Sequence, residues 1–137
     1  MTATAEMIRT YPADLGEIDR DALIRCIDES ISCAQACTAC ADACLSESDD
    51  QLPMLRKCIR SDEDCADMCS ITARILSRHT GYDANITRTV LQACATVCRS
   101  CGDECERHAS VHEHCRVCAE ACRRCEQACQ ELINTLV

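Results

Sequence analysis

Cysteine dominates the chemistry open to this sequence. The spacing C-x3-C-x2-C-x3-C occurs at Cys33, Cys37, Cys40 and Cys44, at Cys94, Cys98, Cys101 and Cys105, and at Cys118, Cys122, Cys125 and Cys129. A fourth copy, Cys58, Asp62, Cys65 and Cys69, carries an aspartate in its second slot. Cys26 extends the first run by one heptad and Cys115 extends the last by one step, which accounts for all 17 cysteines. Alternating steps of four and three put side chains on one face of an α-helix, in the seam that bundles bury. Soft thiolates arranged this way select Cu(I), zinc or iron–sulfur clusters.

Spacing and charge separate those metals. Residues three and four apart on a helix have Cβ atoms roughly 5–6 Å apart, so two or three sulfurs can converge on one ion, which suits Cu(I). Structural zinc takes a closed set of four ligands, which a continuous ladder does not build as separate sites. Four thiolates around zinc also leave a double negative charge in a dry core, whereas one Cu(I) per thiolate leaves none. Neutrality predicts a loading of about 17 Cu(I). Iron–sulfur clusters need compact quartets, and this ladder is uniform.

Other readings fit less well. Bridges between cysteines within one helix would be strained, and a thiol on every turn exceeds what stapling requires. A redox enzyme wants an exposed low-pKa thiol at a helix start, and these pairs fall mid-helix, so no catalytic activity is expected. The alternative to a Cu(I) site is a structural or redox-sensing helical module crosslinked by zinc or disulfides. Thiol state distinguishes the two.

Five non-cysteine residues join the candidate ligand set. His108 and then His112 continue the Cys101, Cys105 stripe, with His114 close by, and Met54 precedes Cys58 by four residues. Together they predict a mouth where Cu(I) meets imidazole or thioether before reaching the thiols. Asp62 occupies a thiol slot and is a candidate carboxylate ligand. His79 reads as a helix C-terminal cap and Met68 as ordinary packing.

The elements that position these residues are helices. A first long helix runs from about Asp19 to Ser48. Ser48-Asp49-Asp50 with Pro53 opens a second that reaches His79, where Gly81 supplies a left-handed cap. Asp83 or Asn85 caps a third that ends near Ala109, and Ser110-Val111-His112-Glu113 is a capping-box pattern for a fourth. Residues 1–15 form a short helix or arm closed by Tyr11-Pro12. The cysteine runs of the first and third helices lie 61 residues apart and those of the second and fourth 60, which suggests a duplicated hairpin. The expected fold is all-α: one domain over 1–137, an antiparallel four-helix bundle with an N-terminal arm. A second apolar stripe on the first helix, Ile24, Ile27, Ile31, Ala34, Ala41 and Leu45, faces away from the thiols. It predicts packing on the arm or on a second subunit.

Composition agrees. There is no Phe or Trp and only Tyr11 and Tyr82 as aromatics, so cysteine must fill the interior. A net charge of -9 with interspersed basic residues argues against nucleic acid. No apolar run is long enough to span a membrane, and the first residues lack the pattern of a secretion signal. A cytoplasmic location, where thiols stay reduced, is expected.

With the four registers and the histidine-bearing turn in view, the chain resembles the bacterial copper storage proteins, in particular their cytosolic branch, from about residue 19 to 137. The resemblance implies a four-helix bundle assembled as a homotetramer, Cu(I) held along the lumen by the cysteines, and His108, His112 and His114 at one open end. It also implies copper homeostasis as the role, with a copper chaperone as a donor. Asp62 departs from the all-thiol register that the resemblance implies.

Overall fold

The computed structural model describes residues 2–136. They form five α-helices and, among the described residues, no strand: α1 (Ala3–Arg9), α2 (Arg20–Leu45), α3 (Leu52–Leu76), α4 (Ala84–Glu106) and α5 (Glu113–Thr135). The long helices pack in a bundle with a ring of contacts, α2 on α3, α3 on α4, α4 on α5 and α5 on α2, while α1 lies against α2. Short connections and a single inward seam per helix dictate that ring.

Each helix starts and stops for local reasons. Asp19 caps α2 by accepting from the Ala22 amide, and Asp83 caps α4 by accepting from the Asn85 amide. Pro53 sits in the first turn of α3, where its missing N–H costs nothing. Gly81, at φ 66°, turns the chain from α3 into α4. Gly102 leaves room for the Arg123 side chain against α4, since a Cβ there would lie 3.0 Å from its guanidinium.

Four details differ from the sequence expectations. The first helix ends at Leu45 and the second at Leu76, three residues short of Ser48 and of His79. His79 therefore caps nothing and instead meets Tyr11 edge-on, 5.1 Å between ring centroids, pinning the arm beside α3. The last helix begins at Glu113 with His112 at its N-cap and no side-chain capping bond, so the Ser110 capping box does not form. The His112 ring is drawn instead to Glu47, 2.8 Å from Nδ1, and Glu113 pairs with Arg116.

The core lies along the seam. All 17 thiols are buried. Leu23, Leu76, Leu91 and Leu132 continue the four stripes beyond their last thiols and are almost fully buried. They close one end of the thiol column. Of the second stripe on α2, Ile27 and Ala41 are buried, while Ile31 and Leu45 are more than half exposed.

Candidate metal centre

The seam brings the sulfurs of all four long helices into one continuous column. Cys26 lies 3.7 Å from Cys129, Cys33 3.8 Å from Cys122, Cys37 3.6 Å from Cys118 and Cys40 3.9 Å from Cys115. Between α3 and α4, Cys69 lies 3.9 Å from Cys94, Cys65 3.9 Å from Cys98 and Cys58 3.8 Å from Cys105. Numbers rise along one helix of each pair as they fall along the other. Further contacts, such as Cys69 to Cys125 at 3.8 Å and Cys33 to Cys65 at 3.9 Å, tie these two helix pairs together.

These contacts build overlapping ligand groups. Cys33, Cys65, Cys69 and Cys98 have all four sulfurs within 4.8 Å of one another, as do Cys33, Cys37, Cys65 and Cys122, then Cys37, Cys101, Cys118 and Cys122, and Cys69, Cys94, Cys98 and Cys125. Neighbouring groups share corners: Cys33 and Cys65 belong to the first two, Cys37 and Cys122 to the next two. Shared, closely spaced soft ligands describe a cluster-binding column rather than isolated sites.

Asp62 stands inside the column, fully buried. Its Oδ1 accepts from Cys101 at 3.2 Å and from Cys105 and Cys118 at 3.3 Å. Burial, then the neighbouring Cys105 and Cys118, push its carboxyl up to about 10, so it is held neutral by its surroundings. Burial, followed by Cys115 and Cys58, likewise pushes the Cys44 thiol up.

At the end opposite the leucines, a fifth group combines Cys40, Cys44, Cys115 and His114. His114 Nδ1 lies 3.4 Å from the Cys40 sulfur and 3.6 Å from that of Cys115. His112 stacks beside it, 5.6 Å between centroids. His108 is held by Glu104 at 2.9 Å. Met54 is 59% exposed, and Leu55 fills the buried position on its stripe. The alternation of four and three explains this, since the step preceding Cys58 is three residues long.

A family model described as copper storage protein matches residues 19–134. The chain belongs to the copper storage protein family. It is similar to the copper storage protein Ccsp from Streptomyces lividans, solved loaded with 10 copper equivalents: 69% identical, TM-score 0.95, covering 98% of this chain and 100% of that one. The apo form of copper storage protein 3 from Bacillus subtilis is 32% identical with a TM-score of 0.67, over 80% of this chain and 96% of that one. A curated relative, the uncharacterized cysteine-rich protein YhjQ of Bacillus subtilis, is 36% identical over 61 residues, 44% of this chain and 51% of its own length. The chain thus spans about half the length of that relative.

Within this copper storage protein, three residues of the site were not singled out from sequence. Ser30 lies in the thiol register between Cys26 and Cys33, fully buried, its hydroxyl 3.6 Å from the Cys125 sulfur. Its four-residue step from Cys26 was the available signal. Glu47 and Glu104 hold the histidines; Glu47 continues the first register one step beyond Cys44 and Glu104 precedes His108 by four residues, which was the available signal. The His114 bond keeps the Glu47 carboxyl below the usual carboxylate range.

Proposed function

We propose that this chain stores Cu(I), many ions per molecule, on thiolates lining an antiparallel four-helix bundle. The opposite stepping of the sulfur pairs, Cys26 with Cys129 through Cys40 with Cys115, supports that topology. The observation that carries the metal reading is the sharing of corners between buried thiol groups. Zinc takes four sulfurs around each ion, so groups that share corners hold far fewer zinc ions than there are thiols. Cu(I), content with two or three sulfurs, fits a shared column, and one ion per thiolate keeps it neutral.

Loading exchanges a proton for a copper ion at each thiol, so uptake releases protons. Cys40, Cys44, Cys115 and His114 form the mouth through which ions are admitted, with His108 and His112 beside it. Asp62 interrupts the thiol register as a neutral hydrogen-bond acceptor or, once deprotonated, a weak oxygen ligand. Storage and sequestration, not catalysis, is the role. Among the described residues no helix is long and apolar enough to cross a membrane. The Streptomyces relative is described as cytosolic, and a cytoplasmic location is proposed for this chain too, with a copper chaperone as donor. A homotetramer is proposed from the resemblance, and the exposed Ile31 and Leu45 are suited to burial against a second copy.

The test is an anaerobic titration of reduced protein with Cu(I) against a competing chelator, with zinc in parallel. Uptake near one Cu(I) per cysteine, about 17 in all, supports the store. Saturation at about four metals with zinc preferred overturns it.

A further inference from the structure

We propose that Glu47 is a positioning residue for copper capture: it fixes His114 in the tautomer whose Nδ1 lone pair faces the mouth thiols. This rests on the storage reading, with His114 as a ligand. Glu47 lies just beyond the end of α2, and a single carboxylate oxygen, Oε2, sits 2.9 Å from His114 Nε2 and 2.8 Å from His112 Nδ1. An ionised carboxylate only accepts, so the ring nitrogens facing it carry the hydrogens. In a neutral imidazole the other nitrogen is then bare.

For His114 that bare atom is Nδ1, 3.4 Å from the Cys40 sulfur and 3.6 Å from that of Cys115. A carboxylate behind a histidine, aiming its free nitrogen at a metal and raising its basicity, is the arrangement that tunes metal ligands elsewhere. His112 is placed differently. Its Nδ1 donates to Glu47, and its Nε2 lies 3.3 Å from the side-chain amide of Gln51, a group able to donate to that nitrogen. Its ring stacks on His114 at an interplanar angle of 29°, which leaves His114 little freedom to swing. One carboxylate therefore orders two rings and leaves one donor atom free, beside the thiols.

The tautomer can be read without copper. Imidazole nitrogen NMR of reduced, uniformly labelled full chain, at a pH where the rings are neutral, should show His114 protonated at Nε2 and bare at Nδ1. Glu47→Ala should give a mixture of tautomers and weaken binding of the first Cu(I) equivalent by about tenfold. Glu47→Gln keeps an accepting oxygen and should restore the parent tautomer and most of the affinity. Unchanged far-UV circular dichroism of both copper-free variants shows that the bundle is intact. An unaltered His114 tautomer in Glu47→Ala overturns the proposal, and so does an altered tautomer with unaltered first-equivalent affinity; either leaves storage standing. Failure of the parent chain to take up Cu(I) overturns the storage reading itself, whatever the tautomer.

Discussion

The Asp62 carboxyl oxygen Oδ1 sits 3.2 Å from the Cys101 sulfur, a hard acceptor set among soft donors. Burial, then Cys105 and Cys118, raise its pKa to about 10 in the fold. The folded chain therefore keeps a proton that the unfolded chain loses above the ordinary carboxylate range. This contribution to stability is fully present at low pH and is lost as pH rises toward about 10. Its slope is at most about 1.4 kcal/mol per pH unit. Asp62→Asn removes the titration, so the difference in urea stability between variant and parent, both reduced and copper-free, should grow in the variant's favour from about pH 5 to about pH 9. Parallel pH profiles would sink the assignment.

Replacing Asp62 by Cys completes the fourth thiol run. If neutrality sets the loading, Asp62→Cys should bind about one more Cu(I) than the parent in an anaerobic chelator titration. Capacity unchanged by the added thiol would show that geometry, not charge, limits filling.

The two stacked histidines should not be equivalent. His114 has a nitrogen beside Cys40 and Cys115, whereas both His112 nitrogens are engaged by Glu47 and Gln51. His114→Ala should weaken the first Cu(I) equivalent by about tenfold or more, and His112→Ala by less. Competition titrations of the two variants side by side decide the ranking, and equal losses would contradict it.

At the closed end the core is ordinary hydrocarbon. Leu132 is fully buried, and Leu132→Ala should cost the copper-free protein about 2–5 kcal/mol, read by urea denaturation of the reduced chain. Copper capacity should stay at the parent value, since no thiol is touched.

The thiol column was legible because a period of 3.5 residues was repeated on four helices, and helical geometry converts that period directly into one buried face. Asp62 was legible for the same reason, as a substitution in a known register. Met54 was misplaced by one residue because a step of four was taken where the alternation requires three, and Leu55 occupies the wall instead. Ser30 shared the register but not the chemistry sought. The mouth was harder. Glu47 meets His112 and His114 across 65 residues and more of chain, a relation set by how α2 and α5 pack and by nothing local. The same contact leaves His112 at the N-cap of α5 with no side-chain capping bond, since its ring is engaged with Glu47.

Leu23, Leu76, Leu91 and Leu132 floor the column at the end away from His114. A vessel with a sealed floor and one rim is emptied from the rim. Ions beside Cys40 and Cys115 are the first a recipient can reach, and ions beside Cys26 and Cys129 turn over slowest. Copper should therefore leave the filled protein in a fast phase and a slow one, a shallow layer in exchange above a deep reserve.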